Sequence, residues 1–487
     1  MFPTSFFPKG GRVISNARII PLRYQAKGTE FLISRRAVAL FDEQGLGKSK
    51  QLIDAVAQEV TAGTLEGALI VCPNTLKSNW AKEIGRYSAL PCAVFGSSKT
   101  ARRLAFSKLR ATFYIVNYEA VVRDVVSLRS LLRFKRLALV LDESHRIKTP
   151  NARVTRAVHR LSSHAAKRVI MTGTPVANKP EDLWSQLFFL DGGATLGTSF
   201  GEFRRRYCSS SGGYIGVDEL RRGLLPIALR RLKVDTLDLP LKYVIPVPVL
   251  LQGRQREIYN RLRQDLYLWV RSLSGEEVLT NAENILVRLL RLVQLAANPK
   301  LLDSSYQETP AKVLVLDQLL GQLMGRSSSQ KAIVWTSFLD NIAMLCKRYA
   351  QFEPVPFHGE MNSKERDLAI GAFLSNPRVR LFIANPAAGR EGLTLTSANV
   401  AIYFDRSFNL VDYLQSQDRI HRLTQRKVCQ IYVLVAKNTV DEFIEFVLAQ
   451  KHRLARYVQR DSHSINGEDL TLTRPDILRA LLAPTDR

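Results

Sequence analysis

The stretch "FDEQGLGKSKQ", residues 41–51, decides how the rest of the chain is read. It ends as a phosphate-binding loop does, on Gly47-Lys48-Ser49. The strict G-x-x-x-x-G-K-[ST] pattern has a glycine where this chain has Asp42. Two readings are therefore open: a nucleotide site, or a polar turn that contains Gly-Lys-Ser. Context bears on the choice. A phosphate loop follows a strand and opens a helix, because backbone N–H groups at a helix N-terminus hold the phosphates. Here "AVALF" (37–41) precedes and "SKQLIDAVAQEV" (49–60) follows. Gly45 and Gly47 let the backbone come close to phosphate. Lys48 has the reach for β- and γ-phosphates, and the Ser49 hydroxyl can ligate Mg²⁺. A carboxylate at position 42 repels a triphosphate unless it is turned away.

Outward from this stretch, a second element fits the same chemistry. "LALVLDESHRIK" (137–148) is an apolar strand ending on Asp142-Glu143. A Mg²⁺-binding acid belongs at such a strand end beside a phosphate loop, and an adjacent carboxylate can polarise an attacking water. The bland alternative is a solvated loop after a core strand. "MTGTPVANKPEDLW" (171–184) follows a further strand, and "QSQDRIHRLTQ" (415–425) sets Arg419 and Arg422 on one face if that segment is helical. Such arginines can stabilise a γ-phosphoryl group in transfer; an exposed helical face is the competing reading.

The whole chain alternates short β-rich apolar runs with amphipathic segments, the pattern of βαβ units and parallel sheets. Strands are predicted at 37–41, 67–73, 112–117, 137–143 and 168–174, and again at 331–337, 379–385, 399–405 and 429–435. Between the two sets lie helical patterns at 254–273 and 284–298. "LDLPLKYVIPVPV" (237–249) carries Pro240, Pro246 and Pro248 and reads as an extended linker, with the domain boundary there. "TRPDILRALL" (473–482) reads as a terminal helix, and "SSSGGYIG" (209–216), with Tyr214, as a turn or hairpin tip.

The 487 residues are 46% apolar, enough for sizeable cores. Lys and Arg number 70 against 44 Asp and Glu, a net charge of +26 that suits a polyanionic partner such as nucleic acid. The five cysteines form no C-x-x-C pair and the seven histidines show no ligand spacing, so neither structural zinc nor a disulfide framework is expected. No run approaches the ~20 apolar residues that span a bilayer. The expectation is a soluble, cytoplasmic protein, nuclear if its source has a nucleus, with no membrane partner.

These motifs together resemble the superfamily-two helicase-type ATPases and, within them, the Swi/Snf-like DNA translocases. The resemblance runs from about residue 20 to 446. "LRYQAKGTEFL" (22–32), "DEQGLGKSKQ", "ALIVCPNTLKSNWAKEI", "DESHRIK", "TGTPVANKPEDLWSQLFFL" and "LRRLKVD" (229–235) cover the first half. "FHGEMNSKERDLAIGAF", "LTLTSANVAIYFDRSFN" and "QSQDRIHRLTQ" cover the second. Asp42 is expected in the family's own version of the loop. The resemblance implies an α/β fold of two RecA-like parallel-sheet lobes with helical insertions between and within them. The lobes are expected at 1–238, with a helical or hairpin insertion near 193–235, and at 239–487, with a helical protrusion near 252–300. It implies ATP and Mg²⁺ as cofactors. Gln25 would contact adenine, and Gly45, Leu46, Gly47, Lys48, Ser49 and Lys50 would hold phosphate. Ser49 and Asp142 would hold the metal, and Glu143 the water. Arg419 and Arg422 would be arginine fingers. His145, Thr172, Gly173, Thr174 and Gln415 would couple nucleotide state to DNA, with Gly392 also in a nucleotide-linked motif of the second lobe. "AAGREGLTL" (387–395) and "HRLTQ" depart from the family's commoner forms.

The implied activity is a DNA-dependent ATPase moving on duplex, forked or branched DNA, with no small-molecule substrate beyond ATP. No accessory domain is expected in the remaining residues, and 205–235 resembles the annealing-helicase and fork-remodelling branch, which points to junction remodelling in replication, recombination or repair. Arg204–Arg206, Arg221, Arg222, Arg230 and Arg231 are candidate phosphate contacts, and Tyr214 a candidate wedge. The rivals are an RNA helicase, a remover of proteins or polymerase from DNA, and a non-catalytic DNA-binding scaffold.

Overall fold

The structure is a computed structural model that describes residues 20–96, 110–176, 179–209, 214–274, 277, 280–390, 392–459 and 461. The start of the chain, the centre of the 209–216 tip, Ala177-Asn178, Glu391 and the 473–482 helix expectation lie outside the described residues. The described residues form two compact units. One holds the residues to Cys208, Ile215–Thr236 and a short stretch from Ala455; the other holds Leu237–Leu454.

The first unit is built on a parallel sheet. Its strands are β1 (Ala37–Leu40), β2 (Gly67–Cys72), β3 (Cys92–Val94), β4 (Phe113–Asn117), β5 (Leu137–Asp142), β6 (Lys167–Met171) and β7 (Ala228–Leu229). Their order is β3-β4-β2-β5-β6-β1-β7. β2 and β5 are continuous apolar runs rather than alternating ones because helices cover both faces. Leu52, Ile53 and Val56 of the helix Lys48–Thr61 pack on Val38, Ile70 and Val140, with Trp80 and Ile84 of the helix Lys77–Tyr87 beside them. The order sets β5, β6, β1 and β7 side by side, in register at Asp142↔Met171, Leu40↔Met171 and Leu40↔Leu229. Four loops far apart in sequence therefore leave adjacent strands at one carboxyl edge, where open α/β sheets bind ligands.

The second unit repeats the plan. β8 (Lys242–Val249), β9 (Ala332–Trp335), β10 (Val355–Phe357), β11 (Leu381–Ala384), β12 (Val400–Tyr403) and β13 (Cys429–Ala436) lie in the order β10-β11-β9-β12-β13-β8, again all parallel. Its core joins Ile333, Trp335, Phe357, Phe373, Phe382 and Tyr403. The helices Gly253–Ser272 and Ala282–Ala297 follow β8 and precede β9 in the chain, within this second unit. The helix Ser363–Ser375 starts on a reciprocal cap. Glu365 N–H donates to Asn362 Oδ1 at 3.0 Å, and Asn362 N–H donates to Glu365 Oε2 at 2.8 Å.

The linker expectation at 237–249 is corrected. Residues 242–249 pair along their whole length with β13, from Lys242↔Cys429 to Val249↔Ala436. Pro246 and Pro248 are tolerated because β8 is the edge strand, and a missing N–H on the free side breaks no ladder bond. β3, β7 and β10, of two or three residues each, carry no legible period. No helix among the described residues is long and apolar enough to cross a membrane, and no disulfide links any of the five cysteines.

Candidate active site

The loop after β1 has the form that its glycines permit. Gly45 has φ +89° and Gly47 φ +72°, both left-handed, and Gly47 caps the helix Lys48–Thr61. Lys48 folds back over the loop. Its ammonium donates to the carbonyls of Asp42 at 2.7 Å and Glu43 at 3.3 Å. Burial pulls the Lys48 pKa down, against the pull of the Glu143, Asp42 and Asp142 carboxylates. Gln25 lies on the loop from outside: its Nε2 reaches Leu46 O at 3.5 Å, and a Cβ on Gly47 would fall 2.5 Å from that nitrogen. Leu46 is fully buried, so the loop offers its backbone rather than that side chain.

Asp42 is turned away from the loop's concave side. It is 0% exposed, and its carboxylate is held by the Arg231 guanidinium and by Gln51 Nε2 at 3.1 Å. The strict pattern's glycine is unnecessary here because this side chain points into the fold. The Lys50 side chain does not face the loop, contrary to its assignment to phosphate. It pairs with Asp54 and lies 5.3 Å from the Tyr87 ring centroid, which leaves only its backbone N–H for a ligand.

β5 delivers Asp142 and Glu143 beside this loop. Asp142 Oδ2 accepts from the Trp80 indole at 2.8 Å, and Oδ1 accepts from Glu143 N–H at 3.0 Å. The Tyr118 hydroxyl holds the Asp142 carbonyl at 2.7 Å. Burial, and then the adjacent Glu143 charge, raise the Asp142 pKa above the ordinary carboxylate range. Glu143 has φ +51°, the left-handed region that a non-glycine residue occupies at a cost of about 1–3 kcal/mol. That turn aims its side chain back at the phosphate loop, where Gln44 Nε2 approaches Oε1 at 3.4 Å.

The loop after β6 closes the group. Thr172 Oγ1 lies 3.3 Å from His145 Nδ1 and 3.5 Å from Glu143 Oε2, and it accepts from Thr174 N–H at 3.1 Å. His145 Nδ1 is itself 3.3 Å from Glu143 Oε2. Thr174 Oγ1 is buried with no hydrogen-bond partner among the described residues. Gly173 is required by close approach: a Cβ there would lie 2.8 Å from Gln44 Cγ and 3.1 Å from its backbone nitrogen. Lys48, Asp142, Glu143, His145 and Thr172–Thr174 thus come together through side chains of one unit.

A Mg²⁺ ion fits this donor set. Asp142 and Glu143 are adjacent carboxylates, and buried like charges are what a divalent cation stabilises. Among the described residues no three His, Cys, Asp or Glu side chains form a closed cage. Mg²⁺ needs none, since it binds through one carboxylate, a hydroxyl such as Ser49, water and phosphate oxygens.

In the second unit, the condition under which Arg419 and Arg422 would share a helical face is not met. The helix Leu410–Gln417 ends before both, and they sit in the turns that follow. Arg419 is 1% exposed, with Nε on Gln415 O at 2.9 Å and a terminal nitrogen on Leu393 O at 3.3 Å. Arg422 is half-buried and donates to Gly392 O at 3.1 Å and Thr394 Oγ1 at 2.8 Å. Gly392 has φ +72°, which turns its carbonyl to Arg422.

Sequence reasoning missed Gln44, Trp80, Tyr118 and the role of Arg230 and Arg231. Arg230 forks onto Asp461 and donates to Phe41 O at 2.6 Å and Gly173 O at 3.0 Å; Arg231 binds Asp42. These internal partners correct their reading as DNA contacts. The available signal was their place in "LRRLKVD", directly after a strand that pairs with β1.

Residues 24–301 match the SNF2-related domain, and residues 311–424 match the helicase conserved C-terminal domain. The chain is similar to the chromodomain-helicase-DNA-binding protein 1-like of Mus musculus, 28% identical over 466 residues, 91% of this chain and 50% of the relative. It is similar to the human SWI/SNF-related matrix-associated actin-dependent regulator of chromatin subfamily A member 1, 29% identical over 492 residues, 95% of this chain and 46% of the relative. It is also similar to an uncharacterized ATP-dependent helicase of Mycoplasma genitalium, 27% identical over 458 residues, 91% of this chain and 43% of the relative. The chain spans about half the length of the curated relatives it matches. The solved SWI2/SNF2 ATPase core of Sulfolobus solfataricus in complex with dsDNA aligns with 96% of this chain and 98% of its own at 26% identity, with a TM-score of 0.44.

Proposed function

The chain belongs to the SNF2-related family, and from that premise we propose that it is an ATP-driven translocase that moves on DNA. The observation that carries this reading is the convergence of Gly45–Ser49, Asp142-Glu143 and Thr172–Thr174 at one carboxyl edge of the first sheet. The loop's N–H groups and Lys48 bind the triphosphate. Gln25, packed against the loop, recognises adenine. Asp142 and Ser49 would hold Mg²⁺, which would supply positive charge against the triphosphate. Trp80 and the Glu143 N–H fix the orientation of Asp142. Glu143 accepts a proton from water as the water oxygen bonds to the γ-phosphorus. The bond from that phosphorus to the bridging oxygen breaks, and ADP and phosphate leave.

Arg419 and Arg422 of the second unit are the candidate arginine fingers, guanidinium groups of the kind that stabilise a γ-phosphoryl group in transfer. Arg422 is the more accessible of the two; Arg419, buried among carbonyls, shapes the turn that presents it. The His145–Glu143–Thr172 contacts offer a way to couple hydrolysis to DNA, because a shift of Thr172–Thr174 changes what holds the Glu143 carboxylate.

The net charge of +26 supports a nucleic-acid track, and backbone contacts suit a motor indifferent to sequence. Exposed Arg204 and Arg205 remain candidates for such contacts. The finer reading is remodelling of forks or four-way junctions, supported by the likeness of 205–235 to that branch. The test is the ATPase rate with single-stranded, duplex, forked and four-way-junction DNA and with RNA. Fastest turnover on branched DNA is expected. Equal stimulation by all DNA forms removes the junction role, and stimulation by RNA alone removes the DNA track.

A further inference from the structure

The chain that leads out of the first unit runs along its phosphate loop. β7 pairs with β1, and the ladder continues past both strands. Phe41 N–H donates to Leu229 O at 2.8 Å, and Glu43 N–H donates to Arg231 O at 3.0 Å. Side chains add to it. Arg231 Nε donates to Asp42 Oδ1 at 2.9 Å, one terminal nitrogen donates to Asp42 Oδ2 and to Gln51 Oε1, the latter at 2.7 Å, and the other reaches Tyr24 O. On the same segment, Lys233 N–H donates to Glu43 Oε2 at 2.8 Å. Gly28 makes room for this knot: a Cβ there would fall 1.8 Å from Gln51 Oε1 and 2.7 Å from the Arg231 guanidinium. The segment ends at Thr236, where the first unit gives way to the second in sequence.

We propose that Arg231 is a positioning residue for the nucleotide reaction, acting through the buried Asp42 to set the entry of the phosphate loop and tying that entry to the chain's exit from the unit. This rests on the ATPase reading. Asp42 is buried beneath the residues that bind phosphate, so a buried carboxylate stripped of its fork must turn outward or draw water inward. Either change moves the carbonyls of Asp42 and Glu43 that hold Lys48. The Arg231 fork is planar and bidentate, which an ammonium cannot copy.

The test compares wild type, Arg231→Gln, Arg231→Lys, Asp42→Asn and the Arg231→Gln/Asp42→Asn double variant in DNA-stimulated ATPase assays, with binding of a fluorescent ATP analogue measured without DNA. Arg231→Gln is expected to raise KM and the analogue Kd about tenfold, with kcat changed less than about threefold, as for a residue that sets ground-state binding. The double variant, which removes both charges, is expected to return within about threefold of wild type, a non-additivity that identifies a direct partner. A merely structural role lowers the active fraction and hence apparent kcat, with KM unmoved. Should Arg231→Gln fail to fold, Arg231→Lys must still weaken analogue binding. Wild-type KM and Kd in that folded variant overturn the proposal, as does a double variant no better than Arg231→Gln. A wild type that neither binds the analogue nor hydrolyses ATP removes the functional reading itself, whereas failure of the variants alone removes only this inference.

Discussion

The two sheets share a plan and differ at their carboxyl edges. In the first unit the loops after β1, β5 and β6 face one another with a lysine, two carboxylates, a histidine and threonines, and left-handed glycines keep the backbone open. In the second unit the corresponding neighbours β11, β9 and β12 end on polar residues that satisfy each other. Asp405 is 1% exposed and accepts from the Thr336 hydroxyl at 2.5 Å and Ser337 N–H at 2.7 Å; Asn385 Nδ2 donates to Ser337 O at 2.9 Å. Gly389 closes that edge further, since a Cβ there would lie 3.0 Å from the Trp335 ring. A parallel sheet thus supplies a place for chemistry without supplying the chemistry. One edge gathers polar groups around an open backbone, and the other uses them to fasten its own loops.

The contrast can be broken at several points. The largest effect is expected from the second unit's arginine: Arg422→Ala should lower kcat by about 10³-fold or more if it acts as a finger. Unchanged turnover would reduce the second unit to a scaffold. Glu143→Gln should lower kcat by about 10²–10⁴-fold, the usual range for a positioned general base, while DNA binding in a gel-shift assay persists. Gly173→Ala should act next, because its Cβ collides with Gln44; a fall in kcat/KM of about tenfold is expected, with a melting temperature near wild type. Asp405→Asn in the second unit should instead destabilise by about 1.5–3 kcal/mol through loss of charged hydrogen bonds, seen in calorimetry, with KM for ATP unchanged. A large kinetic effect there would erase the distinction between the two edges. Pro246→Ala, on the edge strand, should change stability by no more than about 0.5 kcal/mol.

Much of this was legible because it is local. Continuous apolar runs such as "LALVLD" mark fully buried parallel strands, and the glycines of 41–51 announce their loop. The 237–249 segment misled because prolines weaken strand propensity in general, yet an edge strand has a free side on which no N–H is needed. Whether Arg419 and Arg422 share a helical face stayed open in the sequence; the helix stops at Gln417, and periodicity does not reveal where tertiary contacts replace helical bonds. Arg230 and Arg231 read as surface cations because charge in a sequence carries no partner.

By itself the sequence determined the two α/β halves, the glycine turn after β1 and the acidic strand end, since hydrophobic period and turn residues act over a few positions. Only the tertiary structure decided that β5, β6, β1 and β7 are neighbours, that Asp42 faces inward to Arg231, and that Trp80 holds Asp142. Those facts depend on strand order and on pairs separated by scores of residues. Many orders are compatible with one pattern of local preferences, and burial of the joint core selects among them.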